Sequence, residues 1–303
     1  MITLNRERGF EHVESWEEIL QLPGFTLGID PKDEELKEII GQYLFREKIA
    51  CGLGVCRQPH GRGYIVTTKS GKVTNIGNVC GKNHFGVKFD EFSKVFTQAL
   101  TDHKNRESLT SFLFRLKGIT AGIDALRSAE RGADWVYRIT RGLVERNRGC
   151  PDSLVTAIGR MVRSRSGAIR VPREATEEEA KELEVAAGRN LPRPQYLEEF
   201  KGELKGLTCL YPEHNIREIA VLDIEPNLAK LQDIDIATAT SQELRFWSKW
   251  CGELADKLDR MQIAVESGNV LLTRDNLAQM LVIIQDPKQV AVYKKWLAKA
   301  VVN

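Results

Sequence analysis

Three of the chain's six cysteines, Cys51, Cys56 and Cys80, fall within thirty residues, together with two of its five histidines, His60 and His84. Thiolate and imidazole are the ligands that soft and borderline metal ions prefer. A disulfide framework does not suit a chain of 303 residues whose amino terminus carries charge where an export signal needs an apolar stretch. Zinc is therefore the expected chemistry. Four residues separate Cys51 from Cys56, and Gly52 and Gly54 among them would let a short backbone turn until both thiolates face one ion. Cys80 and His84 stand at i and i+4, a spacing that places two side chains on one face of a helix.

Such ligands need a frame. The run YIVTTKSGKVTNI has β-rich ends around Ser70-Gly71 and predicts a hairpin. A knuckle, a hairpin and a helix with two ligands in its first turn resemble a treble-clef zinc finger over residues 45–92. The segment IGNVCGKNHFG is also similar to stretches of uncharacterised bacterial and prophage proteins. The treble-clef resemblance implies Cys51, Cys56, Cys80 and His84 as ligands of a closed, structural Zn²⁺ site with no open position for a substrate water. The gap between Cys51 and Cys56 is wider than usual in that family. His60 is thus an alternative to Cys51, or a loop histidine beside Arg62, as Gly61 and Gly63 suggest. Some treble-clef folds are metal nucleases of the HNH-like kind, and His60, Asn83 and His84 can be drawn into that pattern. His84 would then have to leave the metal.

Charge is unevenly spread. The formal net charge is +2, but residues 1–50 carry −5, residues 51–170 carry +12 and residues 171–303 carry −5. The near balance excludes a histone-like polycation and an acidic disordered tail, while the basic middle suits a polyanion such as nucleic acid. Arginines crowd its second half: Arg138, Arg141, Arg146, Arg148, Arg160, Arg163, Arg165 and Arg170. No acid lies between Asp152 and Glu174. The guanidinium fork matches phosphate oxygens bidentately, so these eight are the candidate nucleic-acid contacts, for DNA or RNA. The competing explanation is a solvated face with acidic neighbours folded onto it.

The rest of the sequence predicts helices. Residues 11–22 and 33–48 read as acidic helices. Leu109, Phe112, Leu116, Ile119, Ile123 and Leu126 form a heptad-like stripe of coiled-coil character. Gly118 and Gly122 in the same stretch suggest close approach by another helix. Trp135, Ile139 and Leu143 predict a helix after Gly132, and Leu154, Ile158 and Met161 one over 152–164. Thr176 and Glu179 form a capping box for a short helix ended by Gly188. Trp247 to Val265 line one face of a helix that Gly268 should end, Thr273 starts another, and Asp286-Pro287 a last one. The expected fold is mainly α: an N-terminal helical segment over 1–48, a treble-clef-like zinc module with a basic helical region over 49–171, a linker over 172–195 and a helical bundle over 196–303. The apolar stripe from Trp247 suggests a homodimer or another protein partner. No Walker loop, GxSxG or HExxH occurs, and no apolar run approaches the length of a membrane span. The expected function is non-catalytic zinc-dependent nucleic-acid binding in the cytoplasm, with a protein-interaction adaptor as the alternative.

Overall fold

A computed structural model describes residues 1–7 and 9–301. The elements run β1 (Ile2–Arg6), β2 (Gly9–Val13), α1 (Trp16–Leu20), β3 (Leu36–Ala50), β4 (Pro59–Thr68), β5 (Val73–Gly77), α2 (Asn78–Ser128), α3 (Ala133–Val144) and α4 (Asp152–Ser164). They continue with β6 (Ala168–Glu174), α5 (Glu177–Ala187), β7 (Tyr196–Glu203), α6 (Glu225–Gln232), α7 (Ser241–Leu271), α8 (Arg274–Ala278) and α9 (Pro287–Ala300). The chain divides into two compact units, Met1–Phe112 with Asp235–Lys249, and Leu113–Ile234 with Trp250–Asn303.

The first unit overturns the expectation of a mainly α protein. It is built on a five-stranded antiparallel sheet of order β2-β1-β3-β4-β5. Residues 33–48, expected to be helical, lie mostly in the long central strand β3. The reason is visible in its register. Pairing with β4 slips between Leu36 and Glu38 and again between Ile39 and Gly41. These irregularities put Leu36, Ile39 and Tyr43 inside at spacings of three and four, which imitates a helical stripe. Residues 11–22 likewise hold the end of β2 and only the five-residue α1, whose start is a Ser15/Glu18 capping box.

Both faces of the sheet are covered. On one, Leu36, Ile39, Val66 and Ile76 pack with Phe89, Phe96 and Leu100 from α2. On the other, Ile2, Leu4, Tyr43 and Ile65 pack with Ile19, Trp16 and Phe25. The predicted hairpin exists as β4–β5, but as the last two strands of this sheet rather than of a free-standing module. α2 follows at once and is broken at Gly86, where φ +56 and ψ −133 lie outside the helical region.

The second unit follows its sequence more closely. α3, α4 and α9 occur where the periodicity places them, with Leu143, Leu154, Ile158, Met161, Tyr293 and Leu297 buried. The Thr176/Glu179 capping box forms, and Gly188 ends α5 in the left-handed region at φ +63. Residues 172–195 are nonetheless no bare linker. α5 is carried between two paired strands, with β6 and β7 matched from Ala168 opposite Glu203 to Glu174 opposite Tyr196. Residues 217–224 form a wide π-helical turn ahead of Pro226, whose ring nitrogen cannot donate a hydrogen bond.

Two glycine expectations exchange places. Among the described residues nothing lies within 4 Å of where a side chain at Gly118 or Gly122 would begin, so these are not positions of close approach. Gly268 does not end α7, which runs on to Leu271. A Cβ there would stand 2.3 Å from Val136 Cγ1, so Gly268 is the position of close approach. Of the predicted stripe, Trp247, Trp250, Leu254, Met261 and Val265 are buried and Leu258 is half-buried.

Candidate metal centre

The knuckle between β3 and β4 begins at Cys51, whose amide donates to the Gln58 carbonyl (3.2 Å), and turns on the Leu53 carbonyl, which accepts from the amides of Cys56 (3.2 Å) and Arg57 (3.1 Å). The tight step falls on Arg57, at φ +49, and not on the glycines. Gly52 serves another purpose: its amide donates to the Asn75 carbonyl at 2.8 Å, and a Cβ would meet Thr74 Oγ1 at 2.0 Å. The absent side chain lets the knuckle lie flat on β5. Directly after β5, α2 begins and brings Cys80 to the same place.

The sulfur atoms of Cys51, Cys56 and Cys80 consequently lie within 4.8 Å of one another, with Cys51 buried and the other two half-buried. Cys56 Sγ and Cys80 Sγ are 3.1 Å apart. The hydrogen bond from Cys80 and the Gln58 amide hold the Cys56 thiol below the ordinary thiol range, while burial and that same bond push Cys80 up to about 12. A bound cation reverses this balance, because coordination deprotonates thiols. Three converging sulfurs can hold a metal ion.

The fourth expected ligand stands apart. His84 is exposed and is not in this group. It sits one turn, about 6 Å, further along α2 than Cys80, shortly before the break at Gly86. His60 does not replace Cys51 either. It sits at the start of β4, where its Nε2 is hydrogen-bonded to Tyr43 Oη and its Nδ1 is 3.1 Å from the Gln58 carbonyl. Tyr43 is buried in the sheet and is also reached by Asn75 Nδ2 at 3.3 Å. This His60–Tyr43–Asn75 chain behind the knuckle left no sequence signal, because Tyr43 falls in a stretch that reads as a helix.

Much of the basic charge around the knuckle is already answered. Lys69 pairs with Glu35, Lys72 with Glu34 (each 2.7 Å), Lys82 with Asp90 (3.2 Å), and Lys88 also reaches Glu35. The acidic amino-terminal stretch folds onto the basic hairpin, and its lysines hold Glu34 and Glu35 down at about 2.

The eight arginines divide into two groups. Arg141 grips Glu145 bidentately at 2.6 and 2.8 Å, Arg148 reaches the same carboxylate at 3.0 Å, and Arg165 pairs with Glu213 at 2.6 Å. Arg138, Arg146, Arg160, Arg163 and Arg170 are exposed and have no ion pair among the described residues. All eight belong to the second unit, the three thiols to the first.

The remaining cysteines are not candidates for chemistry. Burial pushes Cys150 and Cys209 up to about 12 and Cys251 to about 11. Among the described residues no helix is long and apolar enough to cross a membrane. No protein-family model, curated protein or solved structure matches the chain.

Proposed function

We propose that the protein is a non-catalytic nucleic-acid-binding protein whose first unit is stapled by a zinc ion on Cys51, Cys56 and Cys80. Thiolate ligands favour Zn²⁺ among the common divalent ions, and the three come from the knuckle and the α2 start, so an ion there ties β3, β4 and α2 together. The fourth position falls to water or to a rotated His84. The nucleic-acid half of the proposal rests on one observation: five exposed arginines without an ion pair among the described residues, three of them, Arg160, Arg163 and Arg170, in a stretch free of acid from Ser153 to Arg173. The paired lysines of the hairpin argue for moving the contact surface off the zinc module and onto α3, α4 and β6.

Salt titration of binding by the whole protein tests it. Log affinity should fall linearly with log salt, and Arg160→Ala with Arg163→Ala should flatten the slope by about one unit per lost phosphate contact. A folded double variant with unchanged affinity and slope would favour the protein-interaction adaptor instead.

A further inference from the structure

Within the second unit a cleft of about 560 Å³ opens between α3, α4 and the segment 209–218. That volume lies in the range of small-ligand sites. Its walls combine two chemistries. Tyr137 and Tyr211 supply aromatic surface, and Arg163 and Arg217 supply exposed guanidinium groups without an ion pair among the described residues. Glu145 also lines the cleft, but Arg141 holds it bidentately and Arg148 adds a third contact, so its charge is more than balanced. Glu218 is the other lining carboxylate, and it is exposed.

The arginines nearest the rings are fixed rather than free to swing. The Arg141 guanidinium lies 5.8 Å from the Tyr137 ring centre and Arg165 4.7 Å from that of Tyr211, each anchored by its glutamate. A smaller cleft of about 380 Å³ shares Tyr137 and Arg141 as lining residues and adds Arg138 and Trp296. Flat rings interleaved with unpaired cations are what a strand with unpaired bases requires, because bases stack on the rings while phosphates meet the cations. A duplex offers only its phosphates to such a surface, since its bases are stacked inside.

We infer that this cleft binds an unpaired nucleotide of single-stranded nucleic acid, its base against Tyr137 and Tyr211 and its phosphate on Arg163 and Arg217. The inference rests on the nucleic-acid reading above and narrows it from backbone contact in general to single strands.

Fluorescence anisotropy of the whole protein can test it with a labelled single strand of about 15 nucleotides, the duplex of the same sequence, and AMP followed by tyrosine fluorescence. The single strand should bind about tenfold tighter than the duplex, and Tyr211→Leu should weaken single-strand binding about tenfold while leaving duplex binding unchanged. Tyr137→Leu is the second variant should Tyr211→Leu fail to fold by circular dichroism. Equal affinity for both forms, with folded tyrosine variants unaffected, overturns the cleft inference and leaves the phosphate reading intact. AMP binding that depends on Tyr211, with no strand bound, keeps the cleft as a free-nucleotide site and removes the nucleic-acid reading. Binding of none of the three overturns both.

Discussion

The two units of this chain build their chemistry in opposite ways. In the first, three cysteines within thirty residues leave different ends of the sheet and meet because strands pair: Cys51 follows β3, Cys56 precedes β4, and Cys80 comes after β5. In the second, the arginines lie along one continuous stretch, on α3, α4, β6 and the turns between them, and local periodicity alone already puts their neighbours inward. A site made by strand pairing has a defined interior, with a buried Cys51 and unequal thiols. One made along consecutive elements stays on the surface, where its groups are paired or free according to which carboxylates happen to fold nearby. The lesson is that clustering in sequence located the candidate metal-holding thiols but not which expected ligands join them, while charge counting located the arginines but not their availability.

The largest expected effect would test the first unit. Structural zinc contributes on the order of 10 kcal/mol or more to folding around its site. The purified protein should carry about one metal ion per chain, and Cys80→Ser should remove it and unfold the sheet, as read by metal analysis and hydrogen exchange. Cys150→Ser should leave the metal in place. His84→Ala should also retain most of it, because that imidazole stands outside the thiol cluster; its loss on that substitution would restore the four-ligand site. Metal-free protein with an intact sheet would end the contrast between the units.

A second test asks whether the second unit has any non-local polar site of its own. Asp223 accepts from Lys257 Nζ at 2.7 Å, Trp250 Nε1 at 2.8 Å and Asn227 Nδ2 at 2.8 Å, and Lys257 is buried over the Trp250 ring. Burial tends to raise the Asp223 carboxyl, but these three donors outweigh it and hold it below its ordinary value. A carboxylate lowered on folding adds stability that is fully present above its unfolded pKa of about 3.9 and lost as pH falls through the lower folded value. Asp223→Ala should therefore cost about 3 kcal/mol at neutral pH, the low end for stranding a buried charge because Asp223 still reaches solvent. The deficit should shrink as pH drops below about 4. Urea unfolding at several pH values reads both. A variant as stable as the parent would make this cluster a surface pair of no consequence.

The smallest effects separate contact from propensity. Gly268→Ala should cost about 1–3 kcal/mol by forcing a methyl against Val136. Gly118→Ala, where a methyl meets nothing, should stabilise by about 0.5–1 kcal/mol. Thermal unfolding that shifted the same way for both would contradict the packing described for α7.

Local rules in the sequence determined a good deal. The helix caps at Thr176 and Asp286, the buried faces of α3, α4 and α9 and the β4–β5 hairpin all depend on neighbours within a few residues, so the sequence carries them directly. The clustering of three cysteines is likewise a sequence fact. Only tertiary structure decided that residues 36–50 are a strand, because slips in the register with β4 space Leu36, Ile39 and Tyr43 as a helix would. It alone decided that Gly268, and not Gly118, is where elements touch, since a glycine's neighbour is absent from its own segment. The same holds for charge: Lys69 and Lys72 are answered by Glu35 and Glu34, whereas Arg163 has no ion pair among the described residues, and Coulomb partners are chosen by distance in space rather than by position along the chain.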